Sequence, residues 1–183
     1  MKAIDNYLQN VRIAKAQTYI RKNDRVLDIG SVDGIMFEKW RGIISGGIGI
    51  DPILEKKVET DLYTLIPGYF PDVCPANITY DAITMLAVLE HIPPDVQAKL
   101  AENCFKLLNK NGRVIITVPS PNVDYILIFL KAIKLVDASS LGEHYGYKPS
   151  DTESIFSSNY FKLIRKQHFQ FGLNNLFVFE KIG

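Results

Sequence analysis

The chain has 183 residues, of which 47% are hydrophobic, so it is long enough for one compact domain with a sizeable core. Its formal net charge of +1 gives no reason to expect nucleic acid or another acidic polymer as a partner. Cys74 and Cys104 are too few for a disulfide framework, and three dispersed histidines do not favour a metal site. The N-terminus contains no uninterrupted apolar stretch, which argues against a secretory signal and predicts a cytoplasmic protein.

Helical and extended patterns alternate through the first two thirds of the chain. Residues 3–21 place apolar side chains on one face and predict an N-terminal helix within residues 1–22. A second clear helix pattern runs from Pro93 to Gly112, with prolines at its start and a glycine placed for a C-terminal cap. Strands are predicted at RVLDIG (25–30), GGIGID (46–51), weakly within 53–65, at YDAITMLAVL (80–89) and at RVIITVP (113–119).

The pattern changes after residue 150. Ser150 and Glu153 have the spacing of a capping box at the start of a helix. Two strand-like stretches, 161–171 and 174–182, then flank a short turn and predict a β-hairpin. Continuous apolar strands that alternate with helices indicate a parallel sheet covered on both faces. We therefore predict a single α/β domain over residues 1–183 whose parallel sheet ends in an antiparallel pair.

Small and acidic residues follow the first two predicted strands. Asp28, Gly30, Ser31 and Gly34 lie at the end of the first strand, and Asp51 ends the second, 23 residues further on (51 − 28). In open parallel sheets, ligands bind beyond the carboxyl ends of the strands. Glycines let the backbone approach a ligand closely, and a carboxylate accepts hydrogen bonds from both hydroxyls of a ribose. The pattern therefore predicts a site for a nucleotide-like ligand.

Over nearly its whole length the chain resembles the class I S-adenosylmethionine-dependent methyltransferases. Their first motif is approximately D/E-x-G-x-G-x-G, their ribose acid follows the second strand, and an acid–apolar pair after the third strand frames the adenine. Their fourth strand runs into FDxVxxxxVLEHI, and their fifth carries G-G followed by V-P. The matching residues are Asp28, Gly30 and Gly34, then Asp51 in GIGIDP, Asp61-Leu62, YDAITMLAVLEHI (80–92) and NGRVIITVP (111–119).

This resemblance implies a Rossmann-like three-layer sandwich with a mostly parallel seven-stranded sheet and an antiparallel C-terminal hairpin. It implies S-adenosyl-L-methionine as cofactor and a methyltransferase that acts on a small-molecule or lipid-linked acceptor by O- or N-methylation. Since the cofactor carries an activated methyl group, the main task of the protein would be alignment of the reactants. The implied cofactor-binding residues are Asp28, Gly30, Ser31, Gly34, Asp51, Asp61, Leu62 and Ala87.

One position departs from the family motif, because Val32 replaces its middle glycine. Either the turn is shifted there, or cofactor binding is weakened. The alternative function is therefore a catalytically weak S-adenosylmethionine-binding module with a regulatory or interaction role. A nicotinamide oxidoreductase is disfavoured, since G-x-G-x-x-G would need glycines where Val32 and Ile35 stand. A third alternative is a purely structural interaction protein, which would bind neither S-adenosylmethionine nor a nicotinamide cofactor.

Two histidines are candidate general bases, because imidazole titrates near neutral pH. His91 follows the fourth strand, where the alternative role is structural or adjacent to the cofactor. His144 lies between Glu143 and Tyr145, in a region that resembles the acceptor side of the family. The alternative for His144 is a role in anchoring its loop, and both interpretations stay open.

Residues 120–148 are predicted to form a lid or acceptor-side insertion. Their apolar stretch, 125–136, is too short to cross a bilayer. It is predicted to pack against the sheet or a homodimer partner, or else to cover an apolar acceptor pocket or contact a membrane peripherally. The aromatic residues after 156 have no basic stripe beside them, so we expect a small-molecule acceptor and no nucleic acid.

Overall fold

The computed structural model describes residues 3–120, 147–156 and 159–183. Helices and strands alternate through most of these residues. The helices are α1 (Ala3–Gln17), α2 (Ile35–Lys39), a 3-10 turn (Leu89–His91), α3 (Pro94–Leu107) and α4 (Asp151–Phe156). The strands are β1 (Arg25–Ile29), β2 (Gly46–Asp51), β3 (Val58–Glu59), β4 (Tyr63–Pro67), β5 (Tyr80–Leu86), β6 (Leu108–Pro119), β7 (Phe161–Phe169) and β8 (Asn174–Lys181).

The eight strands form one sheet with the order β3-β4-β2-β1-β5-β6-β8-β7. Strands β4, β2, β1, β5 and β6 are parallel, whereas β8 is antiparallel to both β6 and β7. The predicted parallel sheet with an antiparallel C-terminal hairpin is confirmed. The sheet has eight strands where seven were expected, because the two-residue strand Val58–Glu59 adds an antiparallel edge beside β4.

Helices cover both faces of the sheet, which confirms the three-layer architecture. Consecutive residues of β1 point to opposite faces: Leu27 packs in a core with α3 and α4, and Val26 packs in a core with α1 and α2. The second core contains Phe37 and Trp40, which are fully buried. Burying a large apolar side chain contributes roughly 1.5–3 kcal/mol, so these aromatic residues anchor α2 on the sheet.

The helix that was predicted to end at a Gly112 cap ends five residues earlier. Helix α3 stops at Leu107, and β6 begins at Leu108, which pairs with Tyr80 of β5. The left-handed residue is Asn111, with φ 60°, and not Gly112. The cap prediction was wrong because pairing with a distant strand, which the local pattern does not contain, extends the chain at this point.

The predicted capping box at the start of α4 is also absent. The backbone N–H of Lys148 donates to the Asp151 carboxylate at 2.9 Å, and Glu153 instead pairs with Lys166 at 2.6 Å. Among the described residues, no helix is long and apolar enough to span a membrane. Residues 121–146 lie outside the described part of the chain, and with them most of the predicted 120–148 insertion and its apolar stretch.

The strand order places a topological switch beside β1. The chain proceeds outward from β1 through β2 to β4 on one side, and from β5 to β6 on the other. Ligands of open α/β sheets bind at such a point, beyond the carboxyl ends of the strands. The ends of β1, β2 and β5 therefore define the region in which a site is expected.

Candidate active site

The end of β1 carries a buried carboxyl group. Asp28 is 6% exposed, and Thr84, its partner in the β1–β5 register, donates from Oγ1 to the Asp28 carboxylate at 2.6 Å. Loss of solvation raises the pKa of Asp28 to about 7, although hydrogen bonds from Thr84 and Ser31 oppose that rise. Asp33 and Asp51 add a smaller repulsive contribution in the same direction. The strand end is therefore an acidic region that holds one carboxyl partly protonated near neutral pH.

Two glycines are required in the following turn, because an added Cβ at each would clash with a different neighbour. Gly30 has φ 89°, and a Cβ there would lie 2.2 Å from a methyl group of Val88. Gly34 has φ 68°, and a Cβ there would lie 2.6 Å from the ring of Tyr63. Both φ angles are in the left-handed region that glycine adopts without strain. The turn is thus shaped by neighbours from β4 and from the end of β5, which are distant in sequence.

The middle of the turn is tied to α1 and leaves Val32 partly in solvent. Asp33 accepts from the N–H of Ile35 at 3.1 Å and from Gln9 of α1 at 3.3 Å. Ser31 is buried, and its N–H donates to the carbonyl of Ile50 at 3.3 Å. Val32 is 49% exposed, so it lies at the rim of the turn, where it also lines a small cavity at the end of β1.

Asp51 lies at the same edge of the sheet as this turn. The N–H of Gly30 donates to the carbonyl of Ile50 at 2.8 Å, which joins the ends of β1 and β2 directly. Asp51 is 5% exposed, and its Oδ1 accepts from the N–H of Ile53 at 2.8 Å. Burial raises the pKa of Asp51. The structure therefore brings together Asp28, Gly30, Ser31, Gly34 and Asp51.

Asp61 and Leu62 are not part of this group. The pair precedes β4, the third parallel strand, and the carbonyl of Leu62 accepts from the N–H of Gly47 near the amino end of β2. Asp61 is exposed and binds Arg41 through two contacts of 2.7 and 3.0 Å. The prediction that this pair follows the third parallel strand is wrong, because the pair precedes β4. The weak apolar pattern of residues 53–65 did not locate that strand.

Two exposed apolar side chains follow neighbouring strands at the carboxyl edge of the sheet, and one of them follows β4, where the acid–apolar pair was expected. Ile53 follows β2 and is 73% exposed, and Tyr69 follows β4 and is 70% exposed. Both succeed the carboxyl ends of strands that are neighbours in the sheet. Neither was predicted from the sequence, although the apolar residue two positions after Asp51 was an available signal.

The end of β5 makes a sharp turn. Ala87 has φ 61°, and its N–H donates to the carbonyl of Thr117 at 2.8 Å, so it lies next to the end of β6. In the 3-10 turn that follows, Glu90 is 2% exposed whereas His91 is exposed. Of the other acceptor candidates, Glu143, His144 and Tyr145 lie outside the described residues. Glu90 was not singled out from the sequence, although an acid within the apolar VLEHI stretch was a signal.

A small cavity lies beneath α1 at the end of β1. Its volume is about 80 Å³, and its lining includes Gln9 and Arg12 from α1, Asp28 and Leu86 from the sheet, and Ser31 from the turn after β1. Arg12 also donates to Asn174 at 3.3 Å. Because small-molecule sites usually measure about 300–1,000 Å³, this cavity can hold only part of a nucleoside-sized ligand. Over residues 3–120, 147–156 and 159–183, no three His, Cys, Asp or Glu side chains are grouped to hold a metal ion.

The fold and the grouped residues define a Rossmann-like α/β protein with a candidate ligand site at the carboxyl edge of its sheet. A family model described as a methyltransferase domain matches residues 5–172, and the chain belongs to this family. No individually curated protein gives a significant match.

Several solved structures share the fold at low sequence identity. A putative methyltransferase from Bacillus halodurans is 13% identical, with a TM-score of 0.67 over 93% of this chain and 99% of that one. The N-methyltransferase NodS from Bradyrhizobium japonicum, in complex with S-adenosyl-L-homocysteine, is 12% identical, with a TM-score of 0.68 over 96% and 88%. Magnesium protoporphyrin IX methyltransferase from Synechocystis is 16% identical, with a TM-score of 0.61 over 97% and 83%.

Proposed function

We propose that the protein transfers the methyl group of S-adenosyl-L-methionine to a nitrogen or oxygen of a small-molecule or lipid-linked acceptor. The observation that carries this proposal is the placement of the Asp51 carboxylate beside the glycine turn of β1, at the switch point of the sheet. Membership of the methyltransferase family supports the reaction type. NodS and the Synechocystis enzyme, both solved with S-adenosyl-L-homocysteine, support the choice of cofactor.

The residues at this edge fit the parts of the cofactor. Asp51 would accept hydrogen bonds from the ribose hydroxyls, and the exposed side chains of Ile53 and Tyr69 would flank the adenine. The cavity beside Ser31 and Asp28 would receive the amino acid portion. The bound cofactor supplies a methyl group on a positively charged sulfur.

The charge of the site favours this cofactor over a nicotinamide dinucleotide. Asp28, Asp33 and Asp51 lie close enough for each of the latter two to raise the pKa of the first. Such an acidic turn attracts a sulfonium cation and repels a pyrophosphate. A binding module without turnover is the second candidate. The observation that favours it is that Val32, in place of the family's middle glycine, lines the cavity proposed for the amino acid portion. Methyl transfer to any acceptor would exclude that candidate.

The test of the cofactor site is calorimetry with S-adenosyl-L-homocysteine on the wild type and on Asp51→Asn. We expect micromolar binding by the wild type, on the order of −8 kcal/mol. Loss of the charged acceptor should weaken binding by roughly 2–4 kcal/mol, or about 30- to 900-fold. Asparagine retains an oxygen that can accept from Ile53, so the turn itself should persist.

Asp61→Asn is the matched control for this measurement. It makes the same chemical change in an acid that lies at the amino end of β4. The affinity of this variant for S-adenosyl-L-homocysteine should stay within about twofold of the wild-type value. Equal losses in the two variants would contradict the placement of the cofactor. Absence of binding by the wild type, or tight binding of NAD, would contradict the proposed function.

A further inference from the structure

Glu90 is a buried carboxyl group that the cofactor site does not use. Its side chain is 2% exposed, and within the described part of the chain its Oε2 has no hydrogen-bond partner. Burial raises the pKa of Glu90 to about 7. Because an unpaired buried polar group costs free energy, such a group calls for an explanation other than packing.

The position of Glu90 is held by its neighbours. Gln97 of α3 donates to the carbonyls of Leu89 and Ile92 at 3.2 and 2.7 Å, which fixes the turn on either side of Glu90. The charge of Arg12 acts on Glu90, and the charge of Glu90 acts on Tyr147. Arg12 lines the small cavity at the end of β1, whereas Tyr147 lines a larger one. Because Gln97 also lines the larger cavity, the turn that carries Glu90 lies against that cavity.

The larger cavity lies between α3 and α4 and has the size of a small-molecule site. Its volume is about 440 Å³, within the usual range of roughly 300–1,000 Å³. Apolar surface comes from Pro94, Ala98, Tyr147 and Ile155, and the charged residue that lines it is the acid Asp151. No lysine or arginine is among the described residues that line it. This combination favours a cation that has an apolar body.

We propose that the cavity between α3 and α4 binds a small amine with an apolar body, and that Glu90 accepts the proton of its reacting nitrogen. This inference rests on the proposed methyl transfer and specifies its acceptor. The ammonium group gives one proton to the Glu90 carboxylate and becomes a neutral amine. Its lone pair forms the new N–C bond, while the S–C bond of the methyl donor breaks and leaves its electron pair on sulfur. The product is a methylated ammonium ion.

Chemical labelling of the full chain can measure whether a small molecule reaches Glu90 through the cavity. Dicyclohexylcarbodiimide adds to protonated carboxyl groups and leaves a stable N-acylurea that peptide mass spectrometry locates. At pH 7 surface carboxylates are ionised, so Glu90 should be the principal labelled residue in protein saturated with S-adenosyl-L-homocysteine, which covers Asp28. Tyramine, an amine with an aromatic body, should protect Glu90 at least threefold at millimolar concentration.

Two tryptophan variants control for the route of the reagent. Ala98 lines the cavity on an exposed part of α3, so Ala98→Trp should narrow it and lower the labelling severalfold. Lys99 is the exposed neighbour and does not line the cavity, so Lys99→Trp should leave the labelling unchanged. Equal labelling of the two variants, no label on Glu90, or no protection by tyramine would overturn the proposal.

Glu90→Gln separates proton transfer from cofactor binding. The variant should bind S-adenosyl-L-homocysteine within about threefold of the wild type, yet transfer methyl to tyramine at least about 100-fold more slowly. The wild-type rate should rise with pH through about 7, and the variant should lose that dependence. Equal rates in the two proteins, including no transfer by either, would overturn the role of Glu90. Failure of the wild type to bind the cofactor product would instead refute the proposed function.

Discussion

Replacement of Gly30 with alanine is expected to destabilise the protein by about 2–5 kcal/mol. An alanine at φ 89° must adopt a left-handed conformation, which costs roughly 1–2 kcal/mol for a residue with a Cβ. The new Cβ would also lie 2.2 Å from a methyl group of Val88, so the end of β5 would have to move. Overpacking of this kind typically adds about 1–3 kcal/mol. Urea unfolding of the two proteins measures the difference.

Gly42→Ala is the control that isolates the steric part of this effect. Gly42 has a similar φ of 82°, but a Cβ there would have no heavy atom within 4 Å. Only the conformational cost applies, so the loss should be about 1–2 kcal/mol. Equal losses in the two variants would show that Val88 does not confine the turn. The cofactor turn would then have a different shape from the one described.

Asp28→Asn is expected to become more stable relative to the wild type as the pH rises. The pKa of Asp28 is about 7 in the fold against an ordinary value of 3.8, so the folded state holds its proton more tightly. The stability that protonation provides is present below pH 4 and is lost as the pH rises to about 7. The variant has no such proton to lose, so its unfolding free energy minus that of the wild type should increase by about 2–3 kcal/mol between roughly pH 5 and pH 8.

Urea unfolding of ligand-free protein at both pH values measures this shift, and Asp61→Asn should show almost no shift between them, because the pKa of Asp61 lies below its ordinary value of 3.8. Arg41 lowers the pKa of Asp61, so the wild-type carboxylate contributes stability that is lost as the pH falls through the lowered pKa. That contribution should be small because the Asp61–Arg41 pair is solvent-exposed. A shift for Asp28→Asn that is absent or negative would show that its carboxyl remains solvated in the fold.

Residues in strong local patterns were predictable, whereas those set by distant contacts were not. Asp28 and Asp51 lie at the ends of apolar runs, and such runs are typical of buried strands whose last residues reach the edge of the sheet. Asp61 follows a polar segment in which no period distinguishes one strand position from another. The position of Asp61 at the amino end of β4 depends on the pairing of β4 with β2, which involves residues far apart in the chain.

The amino-acid sequence by itself determined the class of fold, the antiparallel end of the sheet and the acids and glycines at the ends of β1 and β2. These features depend on hydrophobic periodicity and turn chemistry, which are local properties of the chain. Only the tertiary structure decided that Glu90 is buried, that Asp61 faces Arg41 and that a methyl group of Val88 restricts Gly30. Burial, ion pairing and steric exclusion arise between elements that fold together, so a local pattern cannot encode where they occur.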